Sequence, residues 1–231
     1  MATRKPDTPR RAKATGAAGG AAPAKGATYG VEAKAHIEAV LGGSGTGKSS
    51  YVKALMELAR PRRLMIFDPE GEWGAFGTVT TKLSDVLTGF QAAGKDGALR
   101  TVFVPSPDPK TAVKQFDTFC QIAFHAERLT FIVDELKSVT TPSRSPVGWG
   151  MLTGRGRKRG IVMYGLSQRP ASIDKDFLGN CTHVRTGRLT YETDANVVSK
   201  VVRATPAELM ELPDLAWIRR DMATGEVTRS R

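Results

Sequence analysis

Cysteine is nearly missing from this chain, with 2 in 231 residues, Cys120 and Cys181. They form neither a metal-ligand spacing nor a disulfide framework, which fits a reducing cytosol and leaves both as ordinary buried thiols. Histidine is almost as scarce. His36, His125 and His183 are scattered along the sequence without metal spacing, so packing or surface roles are expected. Long apolar runs are also absent: none approaches the ~20 residues that cross a bilayer, and the polar N-terminus lacks a signal-peptide core. No integral membrane segment is expected, and any membrane contact would be peripheral. Acidic residues fall short of basic ones, 23 against 34, giving a formal charge of +11. That excess favours an anionic polymer or surface as partner over a small neutral substrate.

The length suits one α/β domain with a sizeable core and leaves little room for a second. Residues 1–30 carry Arg4, Lys5, Arg10, Arg11, Lys13 and Lys25 against Asp7 alone, which accounts for +5 of the charge. This stretch is rich in Ala, Gly and Pro and has almost no large apolar side chains, so burial cannot offset its ordering entropy. A disordered basic tail is expected there, either a nucleic-acid or partner-binding arm or a solvating extension. Residues 31–231 then form the working domain.

Gly42-Gly43-Ser44-Gly45-Thr46-Gly47-Lys48-Ser49 fits the pattern Gly, four residues, Gly, Lys, Ser/Thr of a phosphate-binding loop. Glycines let successive N–H groups close around a β-phosphate at the positive end of the following helix. Lys48 would reach the β- and γ-phosphates, and Ser49 would ligate Mg²⁺. The setting agrees: Ile37 to Leu41 reads as the entering strand, and Ser50 to Ala59 has helical spacing through Val52, Leu55, Met56 and Ala59. Leu64 to Phe67, Thr101 to Val104, Thr130 to Val133 and Ile161 to Leu166 are further short apolar runs suited to buried parallel strands. Helical segments over Leu83 to Ala92, Thr111 to Ala126 and Pro146 to Arg155 lie between them. The alternation predicts a doubly wound α/β sheet, mostly parallel and flanked by helices. Ligands in such sheets sit beyond the carboxyl ends of the strands, so Gly42 to Ser49, Asp68 to Glu72, Asp134-Glu135 and Ser167-Gln168 should converge on one crevice.

The strand Phe131-Ile132-Val133 ends in Asp134-Glu135. Asp134 is placed to hold Mg²⁺, usually through water, and Glu135 to polarise the attacking water as general base. A solvated strand end is the bland alternative. Gln168, at the end of the Ile161 to Leu166 strand, is a γ-phosphate sensor candidate, or an ordinary strand-to-loop turn. Gly154-Arg155-Gly156-Arg157-Lys158-Arg159-Gly160 holds four cations among three glycines. It is a solvated basic loop, a DNA-facing loop, or the source of an arginine finger for a neighbouring subunit, with Arg157 first and Arg155 second. Such a finger is worth ~10³ to 10⁵ in rate.

Other phosphate-loop classes fit less well. Asp68-Pro69-Glu70-Gly71 matches the Asp-x-x-Gly of GTPases, but Asn180 and Asn196 are the only asparagines and neither opens an Asn-Lys-x-Asp guanine-binding element. A small-molecule kinase has no need of a water-activating Glu135, although an arginine-rich lid can be read into Arg155 to Arg159. Hydrolysis of ATP fits better than phosphoryl transfer to a metabolite.

Between about Ile37 and Leu189 the chain resembles the FtsK/HerA family of DNA-pumping ATPases, and within it the compact genome-packaging ATPases of tailless, membrane-containing viruses. The resemblance is carried by GGSGTGKSS, by IFDPEGEW (Ile66 to Trp73), by FIVDE, by GRKRGIVMYGLSQRP (Gly156 to Pro170) and by FLGNC (Phe177 to Cys181). It implies a RecA-like P-loop NTPase core, ATP contacts from Gly42, Gly43, Ser44, Gly45, Thr46, Gly47, Lys48, Ser49 and Ser50, Mg²⁺ at Ser49 and Asp134, and catalysis by Glu135. Gln168 is then the sensor, Arg157 the aligned arginine, and Glu72 a further site residue. It further implies a homo-oligomeric ring, a hexamer, that moves double-stranded DNA into a preformed viral capsid. Capsid or membrane-vertex proteins would be the docking partners, and the host cytoplasm and virion packaging vertex the location. The loop Lys137 to Arg144, directly after Glu135, is a candidate channel contact or a plain surface loop. Two other readings stand: a plasmid-transfer or chromosome-processing pump of the same family, and a nucleic-acid-binding protein whose affinity ATP switches without motor activity.

Overall fold

Short strands that are apolar on both faces need helices above and below them, and the chain supplies these in alternation. The computed structural model describes residues 36–230; the expected basic tail, residues 1–30, lies outside the described residues. In chain order the elements are β1 (Ile37–Leu41), α1 (Lys48–Ala59), β2 (Arg63–Phe67), β3 (Thr78–Thr80), α2 (Leu83–Ala93), β4 (Leu99–Phe103), α3 (Pro109–Ala126) and β5 (Thr130–Val133). After them come α4 (Val147–Arg155), β6 (Val162–Ser167), α5 (Lys175–Asn180), β7 (His183–Thr186), α6 (Glu192–Val202), α7 (Pro206–Met210), β8 (Ile218–Asp221) and β9 (Val227–Arg229).

The strands form one nine-stranded sheet in the order β3-β4-β2-β5-β6-β1-β7-β8-β9. All neighbouring pairs are parallel except β7 with β8 and β8 with β9. The mostly parallel, helix-flanked α/β architecture expected from the sequence is therefore present. Each of the five apolar runs lies on a strand, with β4 beginning two residues before the expected Thr101 and β6 shifted one residue past Ile161 to Leu166.

Side chains alternate between two cores. Ile37, Ala39 and Leu41 of β1, Met65 and Phe67 of β2, and Phe131 and Val133 of β5 face the larger one, built with the later helices. Val40, Leu64, Ile66 and Ile132 face the smaller one, under Val52, Leu55 and Met56 of α1. On the larger side Asp108 starts α3 by accepting the Thr111 N–H at 2.8 Å, with Pro109 in the first turn. The Phe116 ring of this helix meets Phe67 edge-on at 4.9 Å, and Phe119 stacks on Phe103 at 5.4 Å. Where α4 crosses α3, a side chain at Gly148 would stand 2.4 Å from the Asp117 carbonyl, so the close approach requires glycine.

Register brings the strand ends into line. Leu41 lies opposite both Ser167 and Thr186, and Val133 opposite both Phe67 and Gly165. The loops after β1, β2, β5, β6 and β7 therefore leave the sheet at one level. Beyond β7, the sheet is held by charge: Glu38, 1% exposed, pairs with Arg219 of β8 at 2.9 Å, and Arg185 of β7 lies between the Tyr51 and Trp217 rings at 4.0 and 4.1 Å. His36 and His183, scattered in sequence, face one another with ring centroids 4.6 Å apart. Both cysteines are buried. Among the described residues no helix is long and apolar enough to cross a membrane.

Candidate nucleotide site

The phosphate loop turns sharply out of β1 because Gly42, Gly45 and Gly47 take positive φ values of 141°, 75° and 81°. Its back is fixed to the loop after β7, where the Gly43 N–H donates to the Arg188 carbonyl at 2.7 Å. The Gly43 carbonyl accepts from Thr46 Oγ1 at 2.9 Å and from Lys48 Nζ at 2.8 Å. The lysine is thereby folded over the loop whose anion it would hold.

The expected convergence occurs. One cleft is lined by Ser44, Gly45, Gly47, Lys48, Ser49, Ser50, Glu70, Glu72, Asp134, Glu135 and Gln168. Gly42, Gly43 and Thr46 stand behind this lining, against Gly187 and Thr190, and shape the loop. Glu70 and Glu72 enter through the turn after β2, within the Asp68 to Glu72 segment expected there. Asp68 organises that turn: its carboxylate accepts the Glu72 N–H at 3.0 Å and the Trp73 N–H at 2.9 Å. With both oxygens engaged in the turn, the Asp-x-x-Gly resemblance to GTPases has a local structural cause.

Trp73, completely buried, directs its indole N–H to Asp134 Oδ2 at 2.7 Å. Burial pushes the Asp134 carboxyl upward, and the indole hydrogen bond works against that. Lys53 lies over the face of the indole, 5.0 Å from its centroid, and pairs with Glu72 at 3.7 Å. The tryptophan role was not read from the sequence, although the Asp-Pro-Glu-Gly-Glu-Trp run marked the segment.

Glu135 has a left-handed backbone, φ 61° and ψ 67°, which costs a non-glycine residue on the order of 1–3 kcal/mol. This turn aims its carboxylate back over the cleft. Oε1 accepts from Ser167 Oγ and from the Gln168 N–H, each at 3.4 Å. Burial raises the Glu135 carboxyl, as a general base near neutrality requires, and lowers the Lys48 ammonium, which the Glu135 and Asp134 charges oppose. With Ser49, the buried Asp134 oxygen donors suit a hard cation such as Mg²⁺ that keeps most of its water.

The turn that presents Gln168 is clamped from behind. Arg169 Nε donates to Asp194 Oδ2 at 2.7 Å and the Ala171 N–H donates to Oδ1 at 2.8 Å, while the guanidinium covers the Tyr191 ring at 4.0 Å. Asp194 is fully buried on α6 and was missed, since nothing local marks a helix aspartate as a clamp.

Arg155 and Arg157 are not brought to this cleft. They are exposed, at the end of α4 and in the 3-10 turn Gly156–Arg159, at the amino end of β6. The six residues of β6 span roughly 20 Å between that turn and Gln168. Arg159 is engaged within the chain: it pairs with Glu127 and covers the Phe124 ring at 4.1 Å. Lys137, Ser138, Thr141, Ser143 and Arg144 of the loop after Glu135 are exposed.

No protein-family model matches the chain. Among curated proteins, Protein P9 of Pseudoalteromonas phage PM2 is 28% identical over 157 residues, covering 65% of this chain and 67% of P9. Among solved structures, the genome packaging NTPase B204 from Sulfolobus turreted icosahedral virus 2, in complex with AMPPCP, superposes with a TM-score of 0.68 at 15% identity, over 86% of this chain and 98% of B204. The bacterial conjugative coupling protein TrwB superposes with a TM-score of 0.61 at 12% identity, over 85% of this chain and 84% of that one. The resemblance read from the motifs is thus borne out in the fold: this chain shares the mostly parallel, helix-flanked α/β fold of a viral genome-packaging NTPase and of a conjugative coupling protein.

Proposed function

We propose that the protein is an ATP-hydrolysing translocase of double-stranded DNA that packages a viral genome into a preformed capsid. The observation that carries the proposal is the convergence of Lys48, Asp134, Glu135 and Gln168 on one cleft, with Glu135 held there at a backbone cost. In this reading the phosphate loop would hold ATP, and Ser49 and Asp134 would hold Mg²⁺. Glu135 takes the proton of the attacking water, and Gln168 responds to the γ-phosphate. When bound, the metal would supply charge neutralisation at the β- and γ-phosphates.

Residues 31–231 act as one motor domain in a homo-oligomeric ring, a hexamer. Arg157, with Arg155 as second candidate, would complete the neighbouring subunit's site. The distance of this turn from its own cleft supports action in trans over action in cis. The net charge of +11 supports an anionic polymer as cargo, and the Lys137 to Arg144 loop, through its exposed Lys137, Ser138, Thr141, Ser143 and Arg144, is the candidate grip on it. Likeness in fold to a packaging NTPase and in sequence to a phage protein supports packaging, with capsid or membrane-vertex proteins as docking partners and the host cytoplasm and virion packaging vertex as the location.

ATP turnover measured with and without double-stranded DNA tests the proposal. DNA-stimulated hydrolysis is expected, abolished with binding in Lys48→Ala and lowered ~10² to 10⁴-fold with binding retained in Glu135→Gln. Nucleotide-dependent DNA binding without turnover would establish the ATP-switched alternative instead. The TrwB likeness favours a plasmid-transfer pump as second reading, distinguished by whether an empty capsid or a transfer complex recruits the ring.

A further inference from the structure

We infer that Leu215 is the platform on which the nucleobase of the bound nucleotide rests, an assignment that depends on the phosphate loop binding a nucleoside triphosphate as proposed above. The direction of the triphosphate is fixed by the chemistry around it. Glu135, Asp134 and Gln168 follow β5 and β6, on one side of β1, so the γ-phosphate lies on that side. The nucleoside then leaves the loop on the other side, toward β7 and β8. There the chain presents Gly187 to Thr190, packed against Gly43 and Thr46, and the segment that leads into β8.

In that segment Leu215 reaches the loop. A side chain placed on Gly47 would stand 3.3 Å from Leu215 Cδ2, so the leucine lies beside the last loop glycine, immediately before α1. It is nevertheless 67% exposed, and its φ is 62°, a left-handed conformation that a leucine adopts at a cost. An apolar side chain held in costly backbone directly beside the phosphate loop offers a face that a purine would cover. The strain has a visible support. Asp214 pairs with Arg188 at 2.6 Å, the Arg188 carbonyl holds the Gly43 N–H, and the Ala216 N–H closes a turn onto the Pro213 carbonyl at 3.1 Å. These contacts tie the platform to the loop that holds the phosphates.

The test compares Mg²⁺-ATP with Mg²⁺-tripolyphosphate, which has the phosphates and lacks the nucleoside, by calorimetric titration of the full-length protein. Leu215→Gly should weaken ATP binding about ten-fold, the loss expected for one partly covered leucine, and leave tripolyphosphate binding unchanged. The same variant should raise Tm by about 2–4 °C, because glycine accepts φ 62° without strain. Leu215→Met should retain wild-type ATP affinity. Unchanged ATP affinity in Leu215→Gly overturns the assignment. An equal loss for both ligands also overturns it, because Leu215 would then act on the phosphate loop through Gly47. If the wild-type protein binds neither ligand, the phosphate-site reading itself falls, and the platform with it.

Discussion

The indole of Trp73 and the carboxylate of Asp134 are joined by a 2.7 Å hydrogen bond that crosses from the loop after β2 to the end of β5. Residues 61 positions apart thus share one device: the tryptophan donates to one oxygen of the candidate metal-holding carboxylate and orients the other. Trp73→Phe keeps most of the ring and removes the donor. Leaving a buried carboxylate oxygen without it should lower unfolding stability by about 1–3 kcal/mol. The Mg²⁺ concentration for half-maximal ATP turnover should also rise by ~10 to 100-fold, a loss typical of partners behind a metal ligand. Denaturant titration and an Mg²⁺ titration of turnover check the two effects. A stability loss with an unchanged Mg²⁺ dependence would reduce Trp73 to a packing residue.

The same bond shows where sequence reading stops. The phosphate loop, the five apolar strands and the Asp134-Glu135 pair were legible because each is a local pattern: glycines at fixed spacing, or a short apolar run ending in charge. The strand β7, His-Val-Arg-Thr, was not, because its Arg185 is accommodated by Tyr51 and Trp217, from elements far apart in sequence. The antiparallel extension of β8 and β9 escaped for the same reason. Its Ile-Arg-Arg-Asp strand looks solvated until Glu38, 181 residues away, takes up Arg219. Asp194 and Trp73 act across the fold, and Glu135 reveals its role through a backbone angle that composition does not record.

Asp194 clamps the turn carrying Gln168 without touching the cleft, so it is expected to act as a positioning residue. Asp194→Asn retains the shape and one acceptor but removes the charge facing Arg169. Turnover should fall ~10 to 100-fold while KM for ATP changes little, because the phosphate loop is untouched. Steady-state kinetics separates the two parameters. A rise in KM with unchanged kcat would mean that the clamp serves binding.

Two buried glutamates should answer acid in opposite directions. Burial alone would raise the Glu38 carboxyl, but hydrogen bonds from His36 and Arg219 outweigh it and hold it at about 2. Its contribution to stability is present above the ordinary glutamate value of about 4.3 and is lost as pH falls from there toward 2. Glu135 is raised by burial, so the nucleotide-free fold binds its proton more tightly than the unfolded chain does. Its contribution therefore declines as pH rises from about 4.3 through the folded value. Chemical denaturation across pH should show Glu38→Gln flattening the acid-side loss and Glu135→Gln flattening the decline above it. If Glu135 is the base, the acid limb of the turnover profile should also lie above the ordinary glutamate value.

A ring with shared sites makes a sharper demand on Arg157. In the isolated chain this residue lies at the opposite end of β6 from Gln168, so Arg157→Ala leaves the protein's own cleft intact and should bind ATP almost normally. Hydrolysis should nevertheless fall by ~10³ or more, the worth of an arginine that stabilises the transferring phosphoryl. Glu135→Gln fails in the complementary way, with the arginine present and the base absent. Co-assembled rings of the two variants contain interfaces that pair Glu135 of one subunit with Arg157 of the next. Those interfaces should hydrolyse ATP, while neither variant alone has any. Turnover of the mixture above the sum of the two parents is the expected result, with co-assembly verified by a tag carried on one variant. Rescue by Arg155→Ala mixtures, but not by Arg157→Ala mixtures, would move the finger two residues back along the chain, to Arg155. If neither mixture recovers activity, the site is complete within one subunit and the shared-interface motor should be abandoned.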